Sequence, residues 1–156
     1  MVTWAEFSAA APDLAAGGRE LLYRRGDGEA MLATVRGEEP PRVHPINVGI
    51  SGNGLYAFLL RSAKRQDLAQ DGRFALHAHQ DPAAPSEFLV RGRARRVEDP
   101  RTVSSVAAQW YFAVDETYHL YEFFIETALL GVRTADEWPP RYTTWAAPSD
   151  VPQPAR

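Results

Sequence analysis

The chain has 156 residues, 45% of them hydrophobic and 24% charged, with a net charge of -3, a pI near 5.8 and no cysteine. That is the size and make-up of one globular domain with a substantial core. Disulfides, thiol chemistry and thiolate zinc sites are excluded, and the acidic balance argues against nucleic acid as the main partner. The start, Met1-Val2-Thr3-Trp4, has neither a basic head nor a long apolar run. No stretch approaches the ~20 apolar residues of a membrane helix. The expectation is therefore a cytoplasmic protein with no membrane partner.

In chain order, Thr3 and Glu6 have the spacing of a capping box, which predicts a helix at once. Pro12 interrupts it. Asp13 to Arg25 is a second helical stretch, with Leu14, Leu21 and Leu22 on one face and Gly17-Gly18 weakening it. Gly26 to Glu29 turns the chain into a first strand, Met31 to Arg36. Gly37 to Pro41 turns it back. Arg42 to Ile50 is a second strand, Ser51-Gly52-Asn53-Gly54 a turn, and Leu55 to Leu60 a third strand.

Side chains alternate along a strand, so His44, Ile46, Val48 and Ile50 share one face of the second strand. Val43, Pro45, Asn47 and Gly49 share the other, which lacks large side chains. Pro45 cannot donate to a ladder, and Gly49 marks close approach of a ligand or of another backbone. A flat ligand lying against this strand is one reading; an irregular edge strand is the other.

Next comes Arg61-Ser62-Ala63-Lys64-Arg65, with Ser62 as N-cap of a helix that stops near Gly72. Arg61, Lys64 and Arg65 then crowd a helix end that already carries a positive dipole. An anion bound there removes the conflict, through free backbone N–H groups and cationic side chains together. A solvated, slightly unfavourable helix start is the alternative.

Phe74, Leu76 and Ala78 alternate with Ala75, His77 and His79 in another strand. In Glu87 to Val97, Phe88, Val90, Gly92 and Ala94 face inward, and Arg91, Arg93 and Arg95 form an outward, solvated row. Asp99-Pro100 starts a helix whose buried stripe is Val103, Val106, Ala107 and Trp110. Tyr118 to Ile125 and Thr127 to Arg133 are extended, Trp138-Pro139-Pro140 breaks the chain, and Arg141 to Trp145 is a last short strand. Residues 1–147 form one domain and 148–156 a Pro-rich tail.

There is no H-E-x-x-H, P-loop, G-x-G-x-x-G or G-x-S-x-G motif. His77 and His79, with His44 or His119, have only a weak metal-ligand pattern, so no metal is expected. Glu122 and Glu126 are read as structural or solvated carboxylates. No side chain is marked as catalytic. An anion site without acid–base machinery fits a protein whose cofactor does the chemistry.

The order Leu32-Ala33-Thr34-Val35, Arg42-Val43-His44-Pro45, Gly54-Leu55-Tyr56, Ser62-Ala63-Lys64, Asp71-Gly72-Arg73 and Phe88-x-Val90-x-Gly92-x-Ala94 resembles the FMN-binding split-barrel proteins. These are the family of pyridoxamine 5'-phosphate oxidase and its relatives. The similarity spans about Leu14 to Arg133. It implies a mainly β fold with peripheral helices: a six-stranded antiparallel split barrel that binds FMN and forms a homodimer with the flavins at its interface. It implies that Arg42, Val43, His44, Pro45 and Asn47 run beside the flavin and that Phe58 meets it. It also implies that Ser62 and Lys64, with Arg61 or Arg65, anchor the phosphate. Trp110, Tyr111, Trp138 and Trp145 are candidates to cover the partner's cofactor. The family's C-terminal Arg-x-His is Arg141-Tyr142-Thr143 here, and its Tyr-Thr pair is Ala57-Phe58, which argues against vitamin B6 phosphate as substrate. The expected function is an FMN-dependent oxidoreductase whose flavin N5 accepts hydride from, or delivers it to, a small molecule. The alternatives are a deazaflavin-dependent reductase and a non-catalytic flavin- or haem-binding barrel.

Overall fold

The computed structural model describes residues 1–134 and 136–148. The expected tail lies outside them except for Pro148. Two short helices come first, α1 (Trp4–Ala10) and α2 (Pro12–Leu22). Thr3 and Glu6 form the full capping box, and Pro12 occupies the first turn of α2 rather than a break within a helix. The second helix is thus shorter than Asp13 to Arg25 suggests, ending at the Tyr23 cap. Gly18 is needed for packing: a Cβ there would lie 2.4 Å from the Phe88 ring. With no side chain at Gly18, and Leu14, Ala15 and Leu22 beside it, α2 packs closely on the sheet.

The strands are β1 (Glu29–Thr34), β2 (Arg42–Asn47), β3 (Gly49–Ser51), β4 (Gly54–Leu59), β5 (Arg73–Ala78), β6 (Glu87–Arg96), β7 (His119–Val132) and β8 (Arg141–Ala146). Helix α3 (Ala63–Gln70) joins β4 to β5, and α4 (Pro100–Ala107) follows β6. The order β2-β1-β5-β6-β7-β4-β3 is antiparallel throughout, with β8 added on β7.

The expected strand Arg42 to Ile50 is broken at Val48. Its first part pairs with β1, from Arg42↔Thr34 to Asn47↔Glu29, and its second part pairs with β4. The two ends of the sheet are therefore consecutive pieces of one stretch, and that bend curls the sheet on itself. Counting β2 and β3 as one bent strand gives the six-stranded split barrel, with β8 as an extra edge. Strand β7 is long enough to serve two neighbours on one side. His119 to Glu122 pair with β4, and Thr127 to Val132 pair with β8.

The core is built as the alternation requires. Phe74, Leu76, Phe88, Val90 and Ala94 are buried, with Leu32, Leu55, Ala57 and Leu59. A second apolar cluster, around Tyr56, Phe58, Val106 and Leu120, lies under α4. Trp110 belongs to this cluster but lies beyond the end of α4, so the helix is shorter than its stripe. The first strand ends at Thr34, not Arg36, and the third at Leu59, which leaves Leu60 48% exposed. Among the described residues no helix is long and apolar enough to cross a membrane.

Candidate functional site

Strand β2 ends the sheet path, so one of its edges carries no ladder, which is where Pro45 is tolerated. His44 pairs across from buried Leu32, and Ile46 from Ala30. Val43 (60% exposed) and Pro45 face solvent. The other end of the stretch is closed. A Cβ on Gly49 would lie 2.6 Å from the Trp110 ring, so the close approach marked by this glycine is an indole, not a ligand. The Tyr111 hydroxyl donates to Val48 O (2.5 Å) and accepts from Gly28 N–H (2.9 Å). Burial raises the Tyr111 pKa, so the phenol stays protonated as that donor. The residues left open to a ligand are therefore Val43 and Pro45.

Helix α3 begins as expected. The Ser62 hydroxyl accepts from Arg65 N–H (3.4 Å) and donates to Leu60 O (3.0 Å). The N–H groups of the first turn have no intrahelical acceptor. On β2, His44 has an Nε2 that is buried with no hydrogen-bond partner among the described residues. Its pKa is lowered by burial and by the Lys64 ammonium and Arg42, against a smaller opposing pull from Asp67. Lys64 is thus close enough to act on the His44 imidazole electrostatically, and burial and this charge both disfavour the imidazolium.

The other predicted anchors are divided. Arg42 donates to both oxygens of Asp67 (3.0 Å each) and to Glu39 (2.7 Å), so its guanidinium is already partnered. Arg65 donates to the carbonyls of Leu59 (3.3 Å) and Thr117 (2.9 Å), tying α3 to the end of β4 and to the β7 approach. Arg61 and Arg65 line a separate cavity, on the side of α3 that meets β6 and β7. Phe58 is 7% exposed and packs edge-on against Trp110, with centroids 5.1 Å apart. Asn47 donates to Gly28 O (3.3 Å), next to the Tyr111 contact. Of the predicted set, Ser62 and Lys64 lie at the start of α3, and His44 lies on β2 within electrostatic reach of Lys64, while Val43 and Pro45 face the other side of that strand and stay open.

Asp67 was not among the expected site residues. It is fully buried, accepting from Thr34 Oγ1 (2.8 Å) and from Arg36 (2.8 and 2.9 Å) as well as Arg42. Burial pushes its carboxyl up, but the bonds from Arg36, Thr34 and Arg42 outweigh that and hold it below the ordinary value. This network fixes α3, and so the position of Lys64, against β1 and β2. The sequence signal is indirect: two arginines flank the turn between two strands, and one acid sits in a helix with few apolar residues. His77 and His79 gain no third ligand, and no metal-holding cluster occurs among the described residues.

No protein-family model matches the chain, and no curated protein matches it. Solved structures do. PhzG from Burkholderia lata, in complex with tetrahydrophenazine-1-carboxylic acid, matches with a TM-score of 0.65 at 10% identity, over 93% of this chain and 88% of that one. A putative pyridoxamine 5'-phosphate oxidase from Listeria innocua matches with a TM-score of 0.55 at 16% identity, over 70% and 91%. A heme binding protein from Mycobacterium smegmatis matches with a TM-score of 0.61 at 17% identity, over 84% of this chain and 57% of that one. This chain thus spans little more than half the length of the last protein. The fold is that of the pyridoxamine 5'-phosphate oxidase-like split barrels, as the sequence resemblance implies. Of these neighbours, one is a putative oxidase and another a heme binding protein.

Proposed function

We infer that this chain is a flavin-binding split barrel that holds FMN with its phosphate at the start of α3. The observation that carries the reading is the buried, unpartnered His44 Nε2, which feels the charge of Lys64 at the capped end of the helix. A buried polar atom without a partner is costly, and a phosphate oxygen would satisfy it. The first-turn N–H groups and the Lys64 ammonium supply the remaining donors. The residues present therefore fit the group. Val43 and Pro45 offer a low, exposed strand face for the flat part of the cofactor, and Asp67 keeps the helix start and the strand in register. When bound, the flavin supplies the hydride-transferring centre; the side chains bind, orient and exclude water. The reaction is an oxidation or reduction of a small molecule. The exposed Val43 on this face favours a homodimer that covers it.

The same unpartnered His44 Nε2 favours haem as the second reading, in which this imidazole would hold the iron. Reconstitution decides between the two. Purified protein titrated with FMN, riboflavin, a deazaflavin and haem should bind FMN most tightly. Lys64→Ala should weaken FMN by about ten- to a hundredfold while riboflavin loses much less. Equal losses would mean that Lys64 does not hold phosphate. Haem binding that shifts the Soret band and disappears in His44→Ala, without FMN binding, would replace this reading with the second.

A further inference from the structure

The largest cavity lined by the described residues does not involve His44. It has a volume of about 650 Å³ and lies between α3 and the ends of β6 and β7. That is within the size range of small-molecule sites, roughly 300–1,000 Å³. Strand β5 stops at Arg73, opposite Arg93, so the last residues of β6 run on without that neighbour and leave a concavity under α3. Buried Leu68, Ala94 and Tyr121 form its floor. Around it stand Arg61, Arg65, Arg93, Arg95 and Arg96, all but Arg65 exposed. Arg65 is held by the Leu59 and Thr117 carbonyls. Arg93 and Arg96 make long, solvent-exposed pairings with Glu126 (4.0 Å) and Glu98 (3.6 Å), which contribute little and leave their charge to an anion. The acid in the lining, Asp71, is committed to Arg73 and to Gly37 N–H.

We propose that this cavity binds a small amphipathic anion: an aromatic or apolar body seated on Leu68, Ala94 and Tyr121, carrying a phosphate or comparable anionic group held by the arginines. Both halves follow from the lining. An apolar floor alone would take a neutral ligand, and a cationic rim alone would gather inorganic ions. Arginine forks match phosphate and carboxylate oxygens two at a time, and the walls lower the dielectric around the pair.

His119, inside the cavity, reports the local field. Burial and the positive charges of Arg65 and Arg96 lower its pKa, against a weaker pull from Glu98. Arg61, Arg93, Arg95 and Asp71 are the other charged groups of the lining. An anion placed among these arginines cancels the field and moves the His119 pKa back up. The site shares no residue with His44, Lys64, Val43 or Pro45. It therefore stands whether or not those residues hold a flavin.

The test uses 1-naphthyl phosphate as probe, with 1-naphthol and inorganic phosphate as its two halves. The expected result is saturable binding of 1-naphthyl phosphate, weaker binding of either half, and a rise in the His119 pKa seen by NMR titration. Arg96→Ala, at an exposed side chain, should weaken the probe about tenfold. Arg61→Glu should weaken it further, with the fold of both variants checked by thermal unfolding. Lys64→Ala should leave the affinity unchanged. Absence of saturable binding would overturn the proposal. So would binding that is indifferent to Arg96→Ala and Arg61→Glu, or binding lost in Lys64→Ala with no movement of His119.

Discussion

Asp67 shows how much one side chain can decide. Its carboxylate joins α3 to Thr34 and Arg36 at the end of β1 and to Arg42 at the start of β2. Removing it leaves Arg36 and Arg42 side by side without their counter-charge. Asp67→Ala should cost about 3–5 kcal/mol, the range seen when one partner of a buried pair is deleted, and chemical denaturation would measure it. Asp67→Asn should cost less, since Thr34 and one arginine keep an acceptor. The pH dependence has a definite sign. The folded carboxyl lies below its ordinary value of 3.8, so its contribution is present above that pH and is lost as pH falls through the folded value. Acid unfolding of the wild type should therefore be steeper than that of Asp67→Asn. His44, also lowered, has the same sign for folding, but ligand binding there runs the other way. Its pKa is lowered in the free protein, so phosphate binding that restores the proton should tighten as pH falls, which titration of FMN at pH 6 and pH 8 would detect.

At the scale of elements, what could be read from the sequence was what depends on neighbours in the chain. The Thr3–Glu6 capping box, the Ser62 and Asp99 caps, the Gly72 stop and the alternation in β5 and β6 each need a few adjacent residues, and each is found. The interruption at Val48 could not be read, because both halves of Arg42 to Ile50 look like strand. What separates them is that one half pairs with β1 and the other with β4. Gly49 was legible as a close approach, but its occupant, Trp110, is about sixty residues away in sequence. The candidate site shows the same limit. Ser62 and Lys64 follow from a local cap, whereas the diversion of Arg42 to Asp67 and of Arg61 and Arg65 to another cavity depends on tertiary placement. The Tyr111 contact gives the test at this scale. Tyr111→Phe strands the Gly28 N–H and the Val48 carbonyl and should cost about 1–3 kcal/mol, with little change in FMN affinity if Val43 and Pro45 form the open part of the strand.

For the whole molecule, the proposed dimer has a direct check. Val43 and Phe112 stay exposed in the single chain, while Trp145 packs on Phe7 with ring centroids 5.1 Å apart and is spent within the fold. Sedimentation at micromolar concentration should give a two-fold particle, and Val43→Glu should shift it toward monomer. The Tyr111 hydroxyl has a consequence of another kind. It links Gly28, Val48 and the segment after α4, residues 63 and 83 positions distant along the chain. Barrel closure thus waits for a late part of the sequence to return, a long-range contact of the sort that slows folding. The Gly28 amide then becomes a clock for that event. Its hydrogen exchange should be slow in the wild type and should quicken in Tyr111→Phe, while the amides paired between β6 and β7 keep their protection.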